Sequence, residues 1–311
     1  MTVSLLTLLL VPLLLPFAAP PLARRALDRL APAPALWTLT SCALALAASC
    51  TIALGSLVLT GLLELPPFAA LGELVHPLRT PPNLLLLPAA ALATGALTFS
   101  ACTLGRNALR QLGAFRDSRT QANGHPAAGD LCVVESPHPD AYALPGRPHR
   151  IIVTTAMLRS LDATEREALF AHERAHNNAG HHYFLALAEL TAHCHPALRA
   201  VRTDIRFAAE RAADEAAATA VGDRGITARA IARAALAGSA APSTRPAFAP
   251  GATTGPVPRR VAALLVPGRS RPRAAVAVAL AVGALLSTGV TTTAVLGVHH
   301  QVEVAQGDVR H

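Results

Sequence analysis

The sequence predicts an α-helical membrane protein with four transmembrane helices and one cytoplasmic α+β domain, mainly helical with a small sheet. Three observations carry this. Hydrophobic residues make up 52% of the 311 residues and charged residues 15%, a balance too apolar for an ordinary soluble chain. Four long stretches, 1–23, 30–63, 80–105 and 274–302, contain no Asp, Glu or Arg. Between the third and fourth lies the only sizeable polar region, 106–273.

Each apolar stretch holds the ~20 residues a membrane helix needs, so helices are expected near 3–22, 36–62, 83–105 and 275–298. The first has no basic residue ahead of its apolar core and has Arg24 and Arg25 just behind it. A signal peptide has the opposite charge order, so this segment is expected to be a retained helix. Net charge is +8, and no basic residue is Lys. The arginines gather beside the apolar runs: Arg24, Arg25 and Arg29 in the first loop, Arg106, Arg110, Arg116 and Arg119 after the third run, and Arg259, Arg260, Arg269, Arg271 and Arg273 before the fourth. The second loop sets Glu64 and Glu73 against Arg79. This pattern predicts a multi-pass protein of the cell membrane, with the N-terminus and the tail 299–311 outside and 106–273 cytoplasmic. The lipid bilayer is therefore an expected partner. With aromatics at only 4%, direct nucleic-acid binding is not expected.

The expected organisation is a three-helix membrane region (1–105), a cytoplasmic domain (106–238), a Pro/Gly-rich linker with a basic juxtamembrane segment (239–273), a fourth span (274–298) and a short tail. In the domain, 131–135 and 151–155 read as strands between Pro/Gly turns. Asp162 and Glu165 form a D-x-x-E capping box, which predicts a helix starting at Ala163 and ending near Gly180. A second helix, 183–194, carries Glu189 and His193, ends before Pro196 and should be amphipathic. A third covers 198–221, with Gly222 as its C-terminal cap. The five cysteines form no CxxC pair and read as small apolar fillers.

The chemistry concentrates in Ala171-His172-Glu173-Arg174-Ala175-His176-Asn177, an HExxH on a predicted helix. Residues four apart share one helix face, so both imidazoles can reach a single ion. Glu173 sits one step round, placed to contact a metal-bound water without binding the metal. Zinc lowers the pKa of such a water to ~7, and a carboxylate can take its proton as it attacks a peptide carbonyl. The later helix carries Glu210-Arg211-Ala212-Ala213-Asp214. A catalytic zinc keeps three protein ligands and one open position, and Glu210 can be the third. Asp214, one turn on, can accept a hydrogen bond from the far ring nitrogen of a ligand histidine, most simply His172. Glu210 and Asp214 are like charges at i,i+4, which disfavours a bare helix; a nearby cation removes that objection. The alanines around them allow two helices to approach closely. His181, His182, His193 and His195 are expected to be solvated or at interfaces. Strand 151–155 is either a substrate-binding edge that works by strand addition or an ordinary core strand.

Three N-terminal apolar helices, the run Ile151-Ile152-Val153-Thr154-Thr155-Ala156-Met157-Leu158, the motif Leu169–His176, then Glu210–Asp214 and a last apolar helix form a pattern. It resembles the BlaR/MecR-type integral-membrane zinc metallopeptidases and, more distantly, the HtpX-type membrane peptidases. Both are gluzincins, HExxH enzymes with a glutamate third ligand. The resemblance implies a zincin-like domain holding Zn2+ through His172, His176 and Glu210, with Glu173 as base and Asp214 behind the ligands. It also implies a peptide or protein substrate, such as a cytoplasmic DNA-binding repressor. In the signalling members a penicillin-binding sensor domain follows the last helix; here only a short tail is expected. Without any Lys, an S-x-x-K nucleophile is impossible, so sensing of β-lactams by acylation is not expected. The alternatives are HtpX-like quality control and a catalytically silent signalling protein, although the latter has no use for Glu173. A metal transporter would need ionisable residues at mid-depth in its spans, and these spans have none.

Overall fold

A computed structural model describes residues 10–63, 86–124, 127–238 and 256–266. Three of its helices are long and apolar enough to cross a membrane. α1 is Leu10–Arg29, with a 3-10 turn at Leu15–Ala18. α2 is Pro32–Leu63 and α3 is Leu86–Gly124. Hydroxyls in α2 donate back to carbonyls one turn earlier, Thr40 to Leu36 (2.8 Å) and Ser49 to Ala45 (2.9 Å), so its few polar groups are satisfied within the helix. The second loop, the expected fourth span and the tail 299–311 lie outside the described residues.

Two helices extend beyond their expected ends. α1 continues through Arg24, Arg25 and Arg29, so these arginines stand on a helix rather than in a loop. α3 continues past Arg106 to Gly124. Near its end, Arg119 donates to the carbonyls of Pro148 (3.0 Å) and Arg147 (3.3 Å). Gly146 makes room for that guanidinium. Its φ is +143°, and a Cβ there would lie 2.5 Å from Arg119 Nη1.

Four strands follow: β1 (Ala127–Ala128), β2 (Leu131–Val134), β3 (Ala141–Leu144) and β4 (Arg150–Thr154). They pair in the order β1-β2-β4-β3, with β2 and β4 parallel and the other pairs antiparallel. β4 therefore lies inside the sheet, hydrogen-bonded on both sides. The edge-strand role for 151–155 is overturned, because a strand with both ladders filled has no free backbone to offer a peptide. Its alternation is broken because both faces are covered: Val153 packs with Met157 and Leu169, and Ile152 with Tyr142 and Ala122.

The remaining elements are helical: α4 (Thr155–Ser160), α5 (Ala163–Asn178), α6 (His181–Cys194), α7 (Leu198–Val221), α8 (Arg224–Gly238) and α9 (Val257–Leu265). The capping box at α5 is formed, with Glu165 N donating to Asp162 Oδ1 (2.9 Å) and Asp162 N to Glu165 Oε2 (3.1 Å). Glu165 is fully buried and also receives Arg233 of α8 at 2.8 Å. Gly222 closes α7 with φ +75°. The largest core joins the apolar helices to the polar domain: Leu36, Leu39 and Leu46 of α2 pack with Leu185 of α6 and Leu198, Val201 and Ile205 of α7. The helices that carry the polar chemistry are thus fixed directly to those apolar enough for a bilayer. All five cysteines are free thiols.

Candidate metal centre

α5 and α7 cross with almost nothing between them. Ala213 and Ala217 of α7 are fully buried, and Ala168 of α5 is 1% exposed. Methyl groups at these positions let the two helices bring polar side chains into one point. His172 and His176 lie one turn apart on α5, and their Nε2 atoms face each other at 3.0 Å. From α7, Glu210 presents Oε2 at 3.5 Å from His172 Nε2 and Oε1 at 3.8 Å from His176 Nε2. The three side chains are 0–3% exposed.

This set fits a metal ion. Two imidazoles and one carboxylate offer one donor atom each, all within 4.8 Å of one another. Donors about 2.1 Å from a tetrahedral ion stand about 3.4 Å apart, and the three separations here straddle that value.

The outer atoms of the donors are also held. His172 Nδ1 is 3.0 Å from Asp214 Oδ1, the ring nitrogen and carboxylate expected from the spacing on α7. His176 Nδ1 is 2.8 Å from Nδ1 of His181. His181 is therefore not solvated: it is 3% exposed and holds a ring of the cluster. Its position has a local cause. Gly180 takes φ +63° right after α5, reversing the chain so that the first residue of α6 falls back against the last turn of α5. Glu173 is fully buried beside the donors, near enough to His172 and Arg260 to favour their charged forms.

Arg260, counted in the sequence as part of the basic flank before the fourth span, is completely buried at this centre. Its Nε and Nη2 bind the two oxygens of Asp214 at 2.8 and 2.6 Å, and its Nη1 is 3.0 Å from Glu210 Oε2. The fork thus fixes both carboxylates of the E-x-x-x-D pair and offsets their mutual repulsion. α9 delivers it as a short helix between α7 and α8, anchored by Leu264 against Ala218, Ala228 and Ile231.

The charges follow from these contacts. Burial opposes ionisation of Glu210, but Arg260 and the two histidines outweigh it and hold the carboxyl down at about 2. Burial likewise opposes the charge on Asp214, which Arg260 and His172 nonetheless keep below the usual carboxylate range. For His172, burial is outweighed by Asp214 and Glu210, and its value rises to about 9. Burial drives His176 well below its ordinary value and His181 down to about 4.

Residues 117–206 match the sequence model of peptidase family M48. The matched span includes α5 with His172, Glu173 and His176 and stops short of Glu210, Asp214 and Arg260. The match supports a metal-dependent peptidase, and the His/His/Glu cluster could hold a metal ion. No curated protein and no solved structure matches the chain.

Proposed function

We propose that this chain is a membrane-embedded zinc-dependent endopeptidase of the M48 type, acting on peptide bonds at the cytoplasmic face. The observation that carries the reading is the convergence of His172, His176 and Glu210 with Glu173 beside them. Zinc bound there would polarise a peptide carbonyl and acidify the attacking water. Glu173 takes the proton from that water as its oxygen joins the carbonyl carbon, then delivers it to the amine that leaves when the C–N bond breaks. Asp214 holds His172, and His181 holds His176, each with its Nε2 toward the centre. Arg260 keeps Glu210 ionised and in place.

The three helices suited to a bilayer, and the core that α1 and α2 share with α6 and α7, support a centre close to the membrane surface. Regulatory cleavage of a cytoplasmic repressor, as in the BlaR/MecR-type relatives, is the role we favour. The shared core also suits cleavage of membrane proteins, as in the HtpX-type relatives. The test is casein cleavage by the solubilised parent and its Glu173→Gln variant. Cleavage by the parent, abolished by a chelator and lowered at least about 100-fold in the variant, supports the mechanism. Equal cleavage by both proteins removes Glu173 from it.

A further inference from the structure

A cavity of about 510 Å³ lies away from the metal centre, where α3 passes the turn between α6 and α7. Its lining is strongly cationic. Arg106 and Arg110 enter from α3, Arg199 and Arg202 from the first turns of α7, and His193 from α6. The one carboxylate among the lining residues, Glu189, is already engaged. Arg202 Nη1 donates to both its oxygens at 3.0 Å, Arg206 approaches at 3.6 Å and Asn107 Nδ2 donates at 3.2 Å. Arg106, Arg110 and Arg199 form no ion pair with any described carboxylate, and all three are exposed. Three unpaired guanidiniums around one hollow repel one another unless an anion fills it.

The position identifies the source of that anion. Residues 86–105 of α3 carry no charge, and at 1.5 Å per residue they extend about 30 Å, the thickness of a bilayer's hydrocarbon core. Arg106 is the first charge after this run, and Phe99, 64% exposed, lines the side of the cavity toward it. A ligand with a phosphate for the arginines and an apolar body for the flank of α3 matches both halves. We propose that this cavity binds the phosphate headgroup of an anionic phospholipid from the leaflet facing the catalytic domain. The proposal rests on the membrane placement of α3 but not on peptidase activity. The occupant would touch α7 one arm away from Glu210 and Asp214, so the bound lipid would brace the helix that supplies the third donor.

The test uses the full chain in nanodiscs of phosphatidylcholine alone or with phosphatidylglycerol, and counts retained lipid by native mass spectrometry. The parent should retain phosphatidylglycerol at a lipid fraction about 100-fold lower than an Arg106→Gln/Arg110→Gln/Arg199→Gln variant, since each arginine near an anionic surface adds about fivefold in affinity. Zinc content and melting temperature in phosphatidylcholine discs should be the same for both, which shows that the variant folds. Single Arg199→Gln should fall between them. Equal retention by parent and triple variant overturns the proposal. So does stabilisation of the parent by millimolar inorganic phosphate equal to that by phosphatidylglycerol, which would make this a soluble-anion site. Displacement of the lipid by polyglutamate would instead assign the cavity to an acidic protein partner and overturn it as well. A chain that enters neither kind of nanodisc contradicts the membrane placement itself, and that failure is visible before any lipid is counted.

Discussion

At the residue scale, the geometry of the centre depends on side chains behind the donor cluster as much as on the donors themselves. Asp214 and Arg260 form one buried unit behind His172 and Glu210. Arg260→Met removes the fork but keeps most of its bulk, leaving two buried carboxylates without their guanidinium. Zinc affinity should fall about 10–100-fold, read by competition with a chromophoric chelator. An unchanged affinity would reduce Arg260 to a packing role. A partly buried carboxyl on the same helix behaves differently. Asp204 is pushed up from 3.8 to about 6, chiefly by burial, with Asp28 adding and Arg24 and Arg259 opposing. Its folded form holds a proton more tightly than the unfolded chain, so stability falls as pH rises from about 4 to about 6. Asp204→Asn removes that loss. The variant should melt above the parent at pH 7 and level with it at pH 4.

At the element scale, the close crossing of α5 and α7 sets the spacing of the donors. Ala213 sits fully buried at that crossing, between Glu210 and Asp214 in sequence. Ala213→Leu has no room, should cost about 1–3 kcal/mol in thermal unfolding, and should separate Glu210 from the two imidazoles so that metal is lost. Retained metal with a lowered melting temperature would show that the helices separate without carrying the donors apart. The helices were legible in the sequence where chemistry and periodicity agreed. The capping box fixed the start of α5 and Gly222 the end of α7. The motif residues and E-x-x-x-D lay at helical spacings that forced each pair onto one face. β4 was harder, because a short apolar run reads alike at an edge and in the interior, and only the pairing of β3 beside it decides. His181 had a weak signal in Gly180, whose reversal of the chain returns the next residue to α5. Arg260 had none. The pair Arg259-Arg260 looks like a membrane-flanking charge, and no local pattern tells that one of the two is drawn inward from over forty residues away.

At the scale of the whole molecule, α1 and α2 share one core with α6 and α7 of the polar domain. The sequence shows two compositions, apolar and polar, and so suggests two bodies. It cannot show that α6 and α7 turn their apolar faces to α1 and α2. That arrangement holds α7 on both sides, against the apolar helices and against α5, and makes the donor geometry a property of the entire fold. The most direct test is the zinc content of the purified full chain by elemental analysis, beside Glu173→Gln and Glu210→Ala. The account predicts about one zinc per chain in the parent and in Glu173→Gln, and well under a tenth of that in Glu210→Ala. A parent without zinc, or a Glu210→Ala variant that keeps it, would contradict the assignment of this centre.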